Sequence, residues 1–321
     1  MSLLSVTGLH VWFDLPRGGG VHAVREVGFT LEPGQRLGLV GESGSGKTTT
    51  ILALMGLLPP SAIVDGEVRL GGANILAGGE KSMRKYRWKD LAMVFQGAMN
   101  AFNPVVTIGR QITEPMIYHG TCRGSAAQKR AGELLSMVGL PRETADRYPH
   151  QLSGGMRQRA AIAMALACEP KILLADEPTT ALDVMAQAQV LQLLSRLTDE
   201  LELALILVTH DLAVISQVCD RAAVMYAGQV IETGPVSSLY DSPRHPYTRL
   251  LFAATPDPYD DRTVASIPGT PPRLDRPITG CPFCARCDSS IDLCRREDPT
   301  LREVLPAQLA ACHLNDQADA S

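Results

Sequence analysis

RLGLVGESGSGKTTTILALMG, residues 36–56, decides the fold. An apolar run ends at Gly41, a glycine-rich turn carries G-x-x-x-x-G-K-[ST] from Gly41 to Thr48, and an apolar helical run follows at once. Strand, turn and helix in that order are the context the motif requires. Glycine lets backbone N–H groups converge on phosphate oxygens, and the helix start adds the favourable end of its dipole. Gly41, Glu42, Ser43, Gly44, Ser45, Gly46, Lys47, Thr48 and Thr49 are therefore the expected nucleotide contacts. Lys47 would bring a compact charge to the β- and γ-phosphates, and Thr48 a hydroxyl to Mg²⁺. A plain glycine-rich turn is the competing reading, disfavoured by the strand and helix on either side.

Outward from this loop, short apolar runs alternate with amphipathic stretches from about residue 4 to 233, the pattern of an α/β domain. ILLAD (172–176) and LALILVTH (203–210) are too continuously apolar for half-exposed strands and read as buried strands of a mainly parallel sheet. Ligands in such sheets sit at the carboxyl ends of the strands. Asp176 and Glu177 leave one of those ends and His210 another. Beside a phosphate loop, Asp176 is expected to hold Mg²⁺ through water and Glu177 to align the attacking water. Two carboxylates by themselves could simply open a solvated loop, and a lone histidine at a strand end is usually structural. Residues 102–166 carry helical spacing and form a helical insert. Proline becomes frequent past Gly234, which places a boundary between 1–233 and an irregular extension, 234–321. The last residues, NDQADAS, are expected to lack order.

Bulk properties narrow the class. A chain of 321 residues buries a core without disulfides. A net charge of −4 offers nucleic acid no general attraction. The most apolar stretch, ILALMGLLPPSAIV, is interrupted by Pro59 and Pro60, so no membrane span is expected, and MSLLSVTGLHVWFDL lacks the features of a secretory signal. The protein reads as cytoplasmic, where its eight cysteines are thiols or metal ligands before they are disulfides.

LSGGMRQR, residues 152–159, makes a resemblance specific. Together with the Gly41–Thr48 loop, Gln96, Asp176-Glu177, TALD (180–183) and His210, in this order, it resembles the nucleotide-binding subunit of ABC transporters. The resemblance runs through residues 4–233. It implies a P-loop NTPase, RecA-like core with an antiparallel β region and a helical subdomain. Met156 departs from the commoner LSGGQ but leaves Ser153, Gly154 and Gly155 in place. Physically, S-G-G at a helix start is an anion site. The resemblance implies that it meets the γ-phosphate of ATP held by a second ATPase subunit in a head-to-tail dimer. It further implies that His210 senses the γ-phosphate, that Asp183 lies at the dimer seam, and that Gln96 links Mg²⁺ and water to the helical insert. For adenine stacking, Phe13 is preferred to Trp12.

The extension sharpens the resemblance. SPRHPYTRLLFAATP, IPGTPP, GCPF..RC, C....P.L and ACHL are similar to the carboxyl-terminal region of dipeptide, oligopeptide and nickel importer ATPases. Two separate permease subunits, an extracytoplasmic binding protein and attachment at the cytoplasmic face of the membrane follow as implications. A homologous heterodimer partner is expected before a homodimer; nickel chelates and glutathione are alternative cargoes. The rivals are a soluble ABC-type ATPase of DNA repair or translation, and a regulatory or metal-storage protein with a decayed core. Neither a coiled-coil insertion nor tandem nucleotide domains support the first, and the intact motifs argue against the second.

Five late cysteines are spaced C-x₂-C-x₂-C-x₆-C-x₁₇-C. Buried thiols, tetrahedral zinc and an iron–sulfur cluster all fit that spacing, and the leading run by itself favours including Cys284. The resemblance implies a [4Fe-4S] cluster on Cys281, Cys287, Cys294 and Cys312, with Cys284 as a substitute ligand. Its expected role is a structural clip in a segment with little core of its own.

Overall fold

The computed structural model describes residues 2–15, 18–97, 101–254 and 266–316. Most of ATPDPYD (254–260) and of the NDQADAS tail (315–321) lies outside the described residues. The chain runs β1 (Leu4–Asp14), β2 (Gly20–Leu31), β3 (Arg36–Val40), α1 (Lys47–Leu54), β4 (Ala62–Leu70), β5 (Ala73–Asn74), α2 (Gly79–Tyr86) and β6 (Leu91–Val94). Helices α3 (Ile108–His119), α4 (Gly124–Met137) and α5 (Gly154–Ala165) follow. Then come β7 (Ile172–Asp176), α6 (Val184–Glu200), β8 (Ala204–Thr209), α7 (Leu212–Val218), β9 (Arg221–Tyr226), β10 (Gln229–Pro235), α8 (Val236–Asp241) and α9 (Pro246–Ala253). Two short strands, β11 (Arg302–Leu305) and β12 (Gln308–Ala310), close the fold. No helix among the described residues is long and apolar enough to cross a membrane.

The described residues pack as two compact units: one within Met1–Leu31, Arg36–Leu76 and Val208–Ser321, the other within Glu32–Gln35 and Ala77–Leu207. In the first, an antiparallel sheet of order β2-β1-β4-β5 pairs Leu4 with Leu31 and with Leu70. Leu4, Leu9, Val11, Val24, Val27, Leu31 and Val68 are wholly buried, and the sheet packs against α1 and β10. Its bulge at Gly8 is possible because Gly66, at φ 109°, has no side chain: a Cβ there would come 2.3 Å from the Gly8 carbonyl oxygen. A second set of strands runs β11-β12-β10-β9-β3, with β3 parallel to β9 through Leu37↔Arg221 and Val40↔Val224.

The extension was expected to be irregular, yet it gives that sheet two strands. β12 pairs antiparallel with β10 (Glu232↔Ala310, Thr233↔Leu309), and β11 with β12. At four and three residues they are too short to show a period-2 signal, and the pairing joins segments far apart in sequence. Glu232, with no exposed surface, fastens the junction. Its carboxylate accepts from the Arg244 and His245 backbone N–H groups at 2.7 and 2.9 Å and from Gln308 Nε2 at 2.8 Å. Phe283, 1% exposed, lies against Tyr226 and Tyr247 with ring centroids 5.3 and 5.4 Å away. Burial of such a ring contributes about 1.5–3 kcal/mol, so one residue substitutes for much of the missing core.

In the second unit β6 and β7 are parallel, Leu91↔Ile172 through Val94↔Ala175, and every residue of both is buried. The buried strands expected at ILLAD and LALILVTH are β7 and β8. Helix α3 buries Ile108, Ile112 and Met116, and α4 buries Ala127, Ala131, Leu134 and Leu135. These i, i+4 and i, i+7 spacings put one apolar stripe on each helix. Helix α5 packs on both of them and on α6.

Candidate functional site

The phosphate loop belongs to the first unit. β3 ends at Val40, and the loop turns through Gly41 at φ 149° and Gly46 at φ 102° before α1 begins at Lys47. A Cβ on Gly41 would lie 2.1 Å from the Met225 carbonyl oxygen, and one on Gly46 2.6 Å from that of Ala23. Glycine is thus required by backbone packing beneath the loop, besides leaving space above it. Lys47 is 6% exposed, and its Nζ donates to the Gly41 and Glu42 carbonyl oxygens at 2.7 and 2.9 Å. Ser43, Gly44 and Thr48 are exposed, Thr49 is half-buried, and Ser45 is buried with its carbonyl accepting from Gly228 N–H at 3.0 Å. The loop is therefore held from below and open above.

Two groups of sequence-derived residues come together in the second unit. Asp176, 2% exposed, ends β7, and Glu177 follows in a left-handed conformation at φ 43°. Glu177 Oε2 accepts from Gln96 Nε2 at 2.8 Å and from Thr180 Oγ1 at 2.9 Å. Thr180 reaches this carboxylate from TALD, a segment in which no local signal marks a threonine for that contact. The second group lines a cleft of about 500 Å³ with Ser153, Gly154, Gly155 and Asp183. Ser153 N-caps α5, accepting from Met156 N–H at 3.3 Å, and Asp183 N-caps α6, accepting from Ala186 N–H at 2.8 Å. Two helix starts face one cleft, an arrangement suited to an anion. Next to Asp183, Val184 and Met185 are 83% and 71% exposed.

His210 lies at the end of β8 and is exposed, followed by Asp211, which caps α7 through Ala213 N–H at 2.9 Å. On β1, Trp12 stacks against both His10 and His22, with centroids 5.2 and 4.5 Å away, and the two histidine rings also touch each other at 5.3 Å. Phe13 pairs with Val21 on β2 and Ala62 on β4. The two aromatic candidates are neighbours on a strand and so point to opposite faces.

Of the five late cysteines, Cys281, Cys284, Cys287 and Cys294 are linked by backbone hydrogen bonds, while Cys312 follows β12. Cys281 N–H donates to the Cys294 carbonyl at 2.8 Å, and two tight turns carry the chain on through Cys284 and Cys287. Burial pushes the Cys281 thiol up to about 12, with Cys294, Cys312 and Cys284 adding to the rise. Burial also raises Cys287, with Asp288, Cys294 and Cys284 adding to it, and Cys312, with Cys287, Cys294 and Glu232 adding to it. Each of these three thiols thus lies in the field of at least two other late cysteines, a set of soft sulfur donors. Among the described residues, however, no three His, Cys, Asp or Glu side chains stand in metal-ligating geometry. The fit to a metal is one of donor chemistry and neighbourhood, and the structure supplies no formed site.

Contacts that the sequence reading missed surround Glu42. The Glu42 N–H donates to the Tyr247 hydroxyl at 2.9 Å, and the Glu42 carboxylate receives Arg286 at 2.7 and 2.9 Å. Both partners sit inside the motifs SPRHPYT and GCPF..RC. Nothing local in those motifs points to the loop.

Residues 24–180 match the family described as ABC transporter, and residues 231–294 match the oligopeptide/dipeptide transporter, C-terminal region. The dipeptide transport ATP-binding protein DppD of Bacillus subtilis is 44% identical over 98% of this chain and 95% of its own length. The oligopeptide transport ATP-binding protein OppD of Escherichia coli is 43% identical over 97% and 93%. A dimeric, post-hydrolysis structure of the ATP-binding cassette MJ0796 bound to ADP and Pi superposes with a TM-score of 0.65. It is 31% identical and covers 73% of this chain and 98% of that one.

Proposed function

This chain belongs to the ABC transporter family, in its oligopeptide/dipeptide branch, and is the ATP-hydrolysing subunit of a peptide importer; from that premise we propose how its residues share the work. The carrying observation is the match of residues 231–294 to the transporter C-terminal region on a chain whose nucleotide motifs are intact. The relatives compared are transport proteins, which favours import over DNA repair or translation.

The amides of Gly41–Thr48 and the Lys47 ammonium bind the ATP phosphates, and Phe13 stacks on adenine. Thr48, Gln96 and Asp176 offer only oxygen donors, which suits Mg²⁺, an ion that takes one or two carboxylates beside substrate phosphates. Bound there, Mg²⁺ would neutralise charge on the phosphates. Glu177, steadied by Gln96 and Thr180, orients the attacking water. His210 reads the γ-phosphate. Ser153, Gly154, Gly155 and Asp183 meet the nucleotide of a second, homologous ATPase subunit in a head-to-tail dimer. Closure of that dimer rearranges two permease subunits fed by an extracytoplasmic binding protein, with this chain peripheral on the cytoplasmic face. The division into a nucleotide-binding domain, 1–233 with its helical part at about 102–166, and an extension, 234–321, is the functional reading of the chain.

Reconstituted with its permeases, the importer is expected to hydrolyse ATP faster when its binding protein carries a di- or oligopeptide. Stimulation by a nickel chelate or glutathione alone would reassign the cargo. For the extension, the reading is a structural [4Fe-4S] cluster on Cys281, Cys287, Cys294 and Cys312, with Cys284 as substitute ligand and zinc as the alternative metal. The C-x₂-C-x₂-C-x₆-C-x₁₇-C spacing of soft sulfur donors supports it. Anaerobically purified protein is expected to carry about four iron atoms per chain, and Cys294→Ser to lose them. One zinc per chain would change the metal; metal-free protein with a protease-resistant extension would remove the assignment.

A further inference from the structure

We propose that Arg286 is a positioning residue for the phosphate loop: it holds Glu42, so that nucleotide binding by this chain depends on the docked extension. Arg286 sits in the turn between Cys284 and Cys287, and its side chain is 4% exposed. The guanidinium is fully used. Its Nη1 and Nη2 donate to the two Glu42 carboxylate oxygens at 2.7 and 2.9 Å, a parallel fork. Nη1 also donates to the Tyr226 hydroxyl at 3.2 Å, Nε to the Pro268 carbonyl at 2.6 Å and Nη2 to the Ile267 carbonyl at 3.4 Å. These contacts engage all five donors of an arginine. The rings of Tyr226 and Phe283 flank the group, 5.7 and 5.8 Å from its carbon.

The socket also accounts for IPGTPP. Ile267 and Pro268 supply acceptors, and Gly269, at φ +73°, leaves the space that a Cβ would take 3.3 Å from Arg286 Cγ.

What Arg286 holds is the second residue of the loop, and Glu42 is gripped twice. Its carboxylate is forked by Arg286, and its N–H is bound by Tyr247. The Glu42 carbonyl, fixed between those grips, accepts from Lys47 Nζ at 2.9 Å and from Ser45 N–H at 3.2 Å. A path of direct contacts therefore runs from the extension to the lysine that meets phosphate. A simple tether would not need this arrangement, because the extension is already fastened by β12 and Glu232. Taking a forked ion pair out of water is costly, and leaving one partner behind costs more. Its return here is a loop held in one pose before ATP arrives, which lowers the ordering cost of binding. The turn that carries Arg286 is closed by backbone hydrogen bonds, Cys284 N–H to the Cys281 carbonyl at 3.0 Å and Arg286 N–H to the Phe283 carbonyl at 2.9 Å.

The test uses the full-length subunit for MgATP affinity and the reconstituted importer for KM and kcat. Arg286→Gln is expected to raise Kd and KM for MgATP about ten-fold with kcat changed less than about three-fold, the signature of lost binding rather than lost chemistry. Arg286→Lys, charged but unable to fork, is expected to fall between. Glu42→Gln should match Arg286→Gln, and the double variant should be no worse than the larger single one. Unchanged MgATP affinity in Arg286→Gln together with a lower Tm would reduce Arg286 to a tether and overturn the proposal. Multiplying effects in the double variant would overturn it too. Should Arg286→Gln fail to fold, Glu42→Gln and Tyr247→Phe decide: unaltered affinity in both ends the proposal, and weakened affinity in both upholds it.

Discussion

Glu177 combines a left-handed backbone at φ 43° with two hydrogen bonds to one carboxylate oxygen, from Gln96 and Thr180. A conformation that disfavours side chains persists where its surroundings hold it, and such places cluster at functional sites. Glu177→Gln is expected to keep ATP bound and slow turnover by about two orders of magnitude or more, measured in an importer whose partner ATPase is inactive. Near-normal turnover would remove Glu177 as the residue that orients water. His245 gives a second prediction at this scale. Wholly buried, it is held down to about 3, and its Nδ1 accepts from Tyr247 N–H at 3.0 Å. The unfolded chain titrates near 6.5 and so binds this proton first as pH falls. The stability is present above that value and is lost toward the folded value, by up to ~1.4 kcal/mol per pH unit. His245→Asn, whose side-chain oxygen can accept the same bond, is expected to flatten that part of the slope in denaturant titrations. An unaltered slope would place the acid sensitivity elsewhere.

Among the elements, α5 and α6 start on one cleft, capped by Ser153 and Asp183. Gly155 faces α6 closely, and a Cβ there would come 3.3 Å from Ala186 Cβ. Gly155→Asp therefore brings a carboxylate and a steric push to the place proposed for the γ-phosphate. The isolated subunit is expected to bind MgATP as before, while ATP-dependent dimerisation is lost, as read by light scattering on an ATPase-deficient background. Lost binding in the isolated subunit would show that the signature acts within its own chain. The helical run after LSGG was legible because 3.6-residue spacing is a local signal. That α5 and α6 share a cleft was not, because their starts lie some thirty residues apart in the chain.

At the scale of the molecule, the extension's attachment turns on a buried carboxylate. Glu232→Gln is expected to destabilise the chain by about 2–4 kcal/mol, since an amide group must then face donors that a carboxylate accepts. Denaturant unfolding reads the loss, and limited proteolysis should release the segment beyond residue 234; unchanged stability would move the anchor elsewhere. The sequence by itself determined the phosphate loop, the buried strands, the carboxylates at the end of β7 and the S-G-G helix start. Each is written in neighbouring residues, where glycine placement, apolar runs and capping types follow directly from backbone sterics and hydrogen bonding. Only the tertiary structure decided that β11 and β12 join a sheet, and that Tyr247 and Arg286 hold Glu42. Glu42 and Arg286 stand 244 residues apart. At that separation composition and periodicity carry no trace of a contact, and only the folded chain, by bringing the buried Arg286 guanidinium against the half-buried Glu42 carboxylate, chooses the pair.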